Sequence, residues 1–334
     1  MKIRKDPATH EEVEMPVEAK GKITVVGAGF MGVVIATLYA YHGYQVVMTD
    51  LVPGALDSFR DRAMPIASSL VTRDSELERI FANVGIDTDL ASAVRGSFLV
   101  HEVIHENLES KQKLFAQLDQ IAAPEAVLAT NTSSFRLSEV FSGVAKRDRV
   151  IGIHYVTPAH LVKVVEILVT DFVPPALVDW VQNFLKTIDH VGIVCVDEPG
   201  FVVNRLQYAL LAEAYSIVEQ GIASREDVDK AFRLSLGPRL ALWGPLLTED
   251  LVVSKKTVAA VWDYLFDRTG DEKFKRPPQV TRFVEEGKLG AASGSGWYDF
   301  GKDNPSVVGM RDRQLKSLLK WLEKNDRLDD FKIS

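Results

Sequence analysis

With a single cysteine, Cys195, the chain cannot build an internal disulfide framework. Set in the apolar run VGIVCV, that cysteine reads as a buried strand residue and not as a redox group. No stretch of about 18 apolar residues occurs, so no segment announces a membrane span. No basic stripe is present either: 39 lysines and arginines against 46 aspartates and glutamates leave a formal net charge of −7. That balance argues against nucleic acid and anionic membrane as partners and leaves a small molecule as the expected ligand. Internal repeats and low-complexity tracts are absent too. The opening stretch, MKIRKDPATHEEVEMPVEAKGK, is charged without an apolar core, which makes residues 1–20 a polar leader and the expected location cytoplasmic. What is there, 334 residues at 46% hydrophobic and 25% charged, suffices for two globular domains.

Short β-branched runs alternate with longer helical patterns over the first two hundred residues. ITVVG (23–27), YQVVMTD (44–50), SFLVHEVI (97–104), AVLATN (126–131), RVIGIH (149–154), VKVVEILV (162–169) and GIVCV (192–196) read as strands. Helical stretches such as GFMGVVIATLYAYHG and LESKQKLFAQLDQIA lie between them. This rhythm predicts an α/β domain, a Rossmann-type doubly wound and mostly parallel sheet over 21–198. After DEPGF (197–201) only helical patterns follow, so Pro199 and Gly200 mark the start of an all-α domain over 199–334.

GAGFMG, residues 27–32, is the strongest local motif. Gly27 permits a tight turn out of the strand, Gly29 lets backbone approach a pyrophosphate, and Gly32 allows close helix-to-strand packing. Phe30 and Met31 open the helix whose N-terminus would face the phosphates. A bare GxGxxG is weak evidence, but this one follows an apolar strand and precedes Asp50, an acid ending a second strand some twenty residues on. Asp50 accepts from ribose hydroxyls and repels a 2′-phosphate, and no arginine follows it until Arg60, so the expected cofactor is NAD.

A second signal lies in GIHYVTPAHLVKVVEI, residues 152–167. In VKVVEILV, strand alternation puts Glu166 on one face with Val164 and Leu168, where an unpaired carboxylate costs several kcal/mol. It needs a partner, and His154 at the tip of the preceding strand is the candidate. An imidazole titrates near neutrality, and a buried carboxylate would hold one tautomer and stabilise the imidazolium. Strand ends in doubly wound sheets are where ligands bind.

With GAGFMG, HENLESKQKLFAQLD, TNTSSFRLSEV, GIHYVTP, KVVEIL, PGFVVNRL and KLGAASGSGWYDF in this order, the chain resembles the 3-hydroxyacyl-CoA dehydrogenases from about residue 22 to 300. The resemblance implies a homodimeric, two-domain NAD enzyme that oxidises an L-3-hydroxyl to a ketone. By the same resemblance His154 is the catalytic base, Glu166 its orienting carboxylate, and Ser133 and Asn204 bond the substrate's hydroxyl and carbonyl oxygens. Glu106 and Lys111 would contact the nicotinamide-side ribose. Singly, each has a plainer reading: Ser133 as the cap of a helix near Phe135, Asn204 as first-turn chemistry after Pro199, Glu106 and Lys111 as a solvated pair at a helix start.

Two positions depart from the family's pattern. Thr157 stands where HYVTP would have an asparagine near the nicotinamide, and Ala292 stands where LGAASGSG would have a lysine. Members acting on coenzyme A esters tend to carry a lysine-rich excursion after the second strand, yet no lysine falls between Lys22 and Lys111. The segment NRLQYALLAEAYSIVEQGIASREDVDKAFRLSLGPRLALWGPL resembles the lambda-crystallin or L-gulonate 3-dehydrogenase branch and the carnitine 3-dehydrogenase branch. Those branches imply a free 3-hydroxy acid, with Arg239 in the Gly237-Pro238-Arg239 turn gripping its carboxylate. A coenzyme A thioester of the 3-hydroxybutyryl type is the alternative substrate. The 6-phosphogluconate-like hydroxyacid dehydrogenases need a lysine in the first long helix of the second domain, and none lies between 201 and 229.

Overall fold

The computed structural model describes residues 3–5, 12–14, 20–52, 54–301 and 306–325. It divides into two compact units, Met1–Ala209 and Leu210–Ser334. Most of the leader lies outside the described residues; within it, β1 (Ile3–Lys5) and β2 (Glu12–Glu14) pair antiparallel.

The first unit is built on an eight-stranded sheet. Its strands are β3 (Lys20–Val26), β4 (Tyr44–Thr49), β5 (Val84–Ile86), β6 (Ser97–Glu102), β7 (Val127–Thr130), β8 (Val150–Tyr155), β9 (Val164–Val169) and β10 (Val191–Val196). They lie in the order β10-β9-β8-β7-β6-β3-β4-β5. All neighbours are parallel except β8 and β9. A parallel return needs a crossover of a dozen or more residues, whereas residues 156–163 are too few, so β9 comes back antiparallel. The tripeptide β5 was not expected: a VGI run with glycine at its centre carries no alternation to read.

Helices cover both faces of the central strands, which is why those are continuous apolar runs, whereas edge strand β10 leaves Val191, Val194 and Val196 exposed. On one face α1 (Phe30–Tyr41), α2 (Phe59–Leu70), α3 (Asp74–Ala82) and a later helix over Pro175–Thr187 pack on Ile23, Val25, Ile151 and Ile153. On the other, α4 (Leu90–Val94), α5 (Leu108–Ile121) and α6 (Leu137–Val140) pack on Val100, Leu128 and Val150. There Phe115 meets Phe141 edge-on at 4.7 Å, and truncating such a buried ring costs about 3–5 kcal/mol. From β3 the chain winds one way through β4 and β5 and the other way through β6 to β8. The C-terminal ends of β3 and β6 therefore flank the topological switch point, where such sheets bind ligands.

The Pro175–Thr187 helix is α7, and α8 (Val203–Glu219) carries the chain from the first unit into the second. In the second unit follow α9 (Arg225–Ala231), a π-helical turn over Phe232–Leu236, α10 (Gly237–Val252), α11 (Lys255–Thr269), α12 (Pro278–Glu285) and α13 (Ser306–Lys324). Gly237-Pro238-Arg239, expected as a turn, is instead the first turn of α10. The wider π turn before it accommodates a proline that has no N–H to give. The actual kink lies at Gly244, φ 69°, ahead of Pro245.

KLGAASGSGWYDF folds around a buried ion pair. Lys255, with no exposed side-chain surface, donates to Asp250 at 2.5 Å and lies 3.0 Å from Glu249. Asp250 also accepts from the Tyr298 N–H, and the Trp297 indole donates to Glu249. Gly290, φ 111°, leaves no room for a Cβ, which would sit 2.7 Å from the Asp250 carbonyl oxygen. A Cβ on Gly296 would collide with the Asp250 carboxylate itself, so side chains at these two glycines would drive the loop off it.

Candidate active site

The glycine turn follows β3 directly, with Gly27 at φ 114°. A Cβ on Gly27 would lie 2.5 Å from the Val103 carbonyl oxygen, so the turn closes against the chain leaving β6. A Cβ on Gly32 would collide with the Gly27 carbonyl, whereas at Gly29 it would meet open space. Gly29 is the N-cap of α1 and no side chain caps that helix, so its first amides stay open to an anion. Asp50, just past β4, accepts from the Ala28 N–H at 2.6 Å and the Val52 N–H at 2.8 Å. Each carboxylate oxygen has a second lone pair for a ribose hydroxyl. Phe30 is largely exposed beside the turn, and Met31 accepts a hydrogen bond on Sδ from Thr157 Oγ1 at 3.2 Å. The threonine thus contacts the glycine-turn helix.

His154 and Glu166 stand directly opposite each other in the β8–β9 pair. Because β9 runs backwards, its early residues lie at the edge where β8 ends. His154 Nδ1 is 2.7 Å from Glu166 Oε2, and the carboxylate is fully buried. Glu166 Oε1 accepts from the Val202 and Val203 N–H groups at 2.8 and 2.9 Å, capping the start of α8. Burial pushes the Glu166 carboxyl up, but the histidine and the two amides outweigh it and hold the group below its ordinary range. An ionised Glu166 fixes Nδ1 as the protonated nitrogen and leaves Nε2 as the acceptor. Phe201 packs its ring 5.6 Å from the imidazole from a left-handed backbone position, φ 47°. Asn204, in the first turn of α8, follows the capped Val203.

The third group gathers after β6 and β7. Glu106 Oε1 accepts from Thr132 Oγ1 at 2.6 Å, the Ser133 and Ser134 N–H groups at 2.9 and 3.1 Å, and Ser134 Oγ at 2.9 Å. Ser133 Oγ lies farther off, at 3.5 Å. Burial raises the Glu106 carboxyl, but Thr132 and the Lys111 charge overcome that and it too lies below its usual range. Lys111, from α5, is only 1% exposed and bridges Glu106 at 3.2 Å and Glu102 at 2.6 Å. The solvated-pair reading of Glu106 and Lys111 therefore fails, and Ser133 caps no helix, since α6 starts only at Leu137 with Arg136 as N-cap. Ser133, Glu106 and Lys111 form one network at the edge that also carries His154 and Glu166.

Several participants escaped the sequence reading. Glu102, fully buried in β6, accepts from Lys111, the Ile104 N–H and Thr130 Oγ1. It gave the same signal as Glu166, an acid inside an apolar run. Asp197 accepts from the Leu137 N–H at 2.6 Å and so ties DEPGF to the helix after the NTSS loop. Arg239 belongs to the second unit, where it donates to the Ser235 carbonyl at 3.0 Å and the Ser235 hydroxyl at 3.4 Å. Cys195 lies in β10 but, against the expectation of a buried residue, is only half-buried at the sheet edge; its thiol, pushed up to about 11 by burial and then by Glu166 and Asp197, is inert at neutral pH. Among the described residues no cluster of His, Cys, Asp and Glu could hold a metal ion, and no helix is long and apolar enough to cross a membrane.

Residues 22–198 match the model of the 3-hydroxyacyl-CoA dehydrogenase NAD-binding domain, and residues 200–300 that of the C-terminal domain of the same family. The chain is 32% identical over 288 residues to human mitochondrial hydroxyacyl-coenzyme A dehydrogenase, covering 83% of this chain and 90% of that protein. It is 35% identical over 243 residues to rabbit lambda-crystallin, covering 71% and 76%. Among solved structures, a 3-hydroxyacyl-CoA dehydrogenase from Archaeoglobus fulgidus superposes with a TM-score of 0.76 at 28% identity, over 93% of this chain and all of that one.

Proposed function

The chain belongs to the 3-hydroxyacyl-CoA dehydrogenase family, and on that premise we propose that it oxidises the 3-hydroxyl of a small 3-hydroxy acid to the ketone, with His154 as the base. It is an NAD-dependent dehydrogenase. The residues fit that cofactor: an uncapped helix start, an unobstructed Gly29 and an acid at the end of β4. When bound, NAD supplies the hydride acceptor. The glycine turn with Phe30 and Met31 holds the pyrophosphate, Asp50 the adenosine ribose, and Glu106 and Lys111 the nicotinamide-side ribose. Ser133 and Asn204 bond the substrate's oxygens.

The observation that carries the reading is the His154–Glu166 pair, buried and 2.7 Å apart. It leaves Nε2 as the one imidazole nitrogen able to take the hydroxyl proton, and the adjacent carboxylate stabilises the imidazolium that results. His154→Ala should lose roughly a hundred- to ten-thousandfold in turnover while NAD affinity holds, because the dinucleotide rests on the glycine turn. Retention of more than about a tenth of the wild-type rate would overturn the assignment, being less than one proton-transfer effect.

For the substrate we propose a free 3-hydroxy carboxylate, as in the lambda-crystallin-like and carnitine-dehydrogenase-like branches. The support is the missing lysines between 22 and 111 and an Arg239 with no acid within ion-pair distance among the described residues. A guanidinium grips a carboxylate with two parallel hydrogen bonds. The coenzyme A ester is the second reading, since relatives such as the Mycobacterium tuberculosis 3-hydroxybutyryl-CoA dehydrogenase, 33% identical over 290 residues, are named for one. Arg239→Met should cut activity on free 3-hydroxy acids and spare the esters; good ester turnover indifferent to Arg239 restores the second reading. A homodimer belongs to the same proposal: Leu206, Leu210 and Tyr215 of α8 are exposed in the single chain and want cover. So does a cytoplasmic location, for which a lone unbridged cysteine speaks.

A further inference from the structure

Arg62, in the first turn of α2, reaches back to the glycine turn. Its Nη1 donates to the Ala28 carbonyl at 2.5 Å and its Nη2 to the Ala55 carbonyl at 2.6 Å. The Ala28 N–H is meanwhile held by Asp50. The residue between the first two glycines of GAGFMG is thus gripped on one side by an anion and on the other by a cation. Arg62 has no carboxylate within ion-pair distance among the described residues, and its Nε is buried without a partner. Arg60, two residues earlier, is different: it pairs with Glu78 at the exposed surface and lies over Phe81.

A half-buried guanidinium bonded to two carbonyls has no counter-charge beside it, and guanidinium is the side chain best suited to phosphate recognition. We propose that Arg62 is a cofactor-binding residue: it braces the glycine turn and supplies an unneutralised positive charge to the dinucleotide's phosphates. The inference rests on NAD being the cofactor. It changes the balance inferred from Asp50 alone, because the adenosine end then carries one acid and one base. Asp50 acts on the ribose, and Arg62 attracts the phosphates through space.

The test separates charge from bracing. Affinities of NAD, ADP and adenosine would be measured by calorimetry for the wild type, Arg62→Lys and Arg62→Gln, at low and high salt. Loss of one charge-assisted contact weakens an anion about tenfold. Arg62→Gln should therefore bind NAD and ADP about tenfold more weakly than the wild type, with the gap narrowing in salt. Adenosine, being neutral, should bind both equally, and Arg62→Lys should recover most of the ADP affinity while folding as the charged form does. Equal weakening of ADP and adenosine would overturn the proposal and reduce Arg62 to a brace, as would unchanged ADP affinity in Arg62→Gln. If the NAD reading itself were wrong, the wild type would bind neither NAD nor ADP, an outcome unlike either of these.

Discussion

Among the described residues, each unit holds one buried lysine between two carboxylates. Lys111 joins Glu102 and Glu106, and Lys255 joins Asp250 and Glu249. In both, one acid is fully buried and the other partly open, at 34% for Glu106 and 23% for Glu249. The surroundings differ. Around Lys255 the remaining acceptors go to Tyr298 N–H and the Trp297 indole, so the cluster ties down a loop. Around Lys111 the open acid Glu106 faces Ser133 and Ser134 at the end of the sheet where His154 also lies. Identical chemistry therefore ties down a loop in one place and lies at the ligand-binding end of the sheet in the other, and position in the fold separates the two.

The hardest way to break that comparison is to remove each lysine in turn. Lys255→Met and Lys111→Met should each cost about 3–5 kcal/mol in urea unfolding, because each strands a buried carboxylate. Their enzymology should diverge: the folded fraction of Lys255→Met keeps its KM for NAD, whereas Lys111→Met raises it. Equal damage to cofactor binding would erase the distinction.

A milder test turns from these buried lysines to Glu166. Its carboxyl is held below the usual range in the folded chain, so its stabilisation is complete above the unfolded value of about 4.3 and is lost as pH falls through the folded one. The stability gap between wild type and Glu166→Gln should shrink as pH falls below about 4. A gap that persists undiminished well below that pH refutes the ionised assignment. Trimming the rim of the Lys255 cluster should matter least. Trp297→Phe loses one indole hydrogen bond to Glu249, about 1 kcal/mol, with turnover unchanged at substrate saturation.

How much of this was legible follows from how each residue announces itself. GAGFMG and Asp50 were readable because glycine and a strand-ending acid have few other reasons to stand there. Glu166 was readable because a carboxylate in VKVVEILV has to be paired. Glu102 in SFLVHEVI is legible by the same argument, an acid inside an apolar run that has to be paired. The antiparallel return of β9 was implicit in the short link after Tyr155. Arg62 and the capping by Glu166 were out of reach, since both depend on backbone groups that the chain brings near only after folding. The helical start of α10 was hidden by Gly237 and Pro238, which look alike in a turn and in the first turn of a helix.

Glu166 divides its two oxygens between the imidazole and the first amides of α8. Proton affinity and helix position are then two readings of one charge. Whatever draws the start of α8 away from the carboxylate leaves more of its negative charge facing His154. By thermodynamic reciprocity, protonating His154 loosens the hold on the helix by the same free energy. Through one shared group, a charge change at the imidazole reaches the point where the chain leaves the sheet.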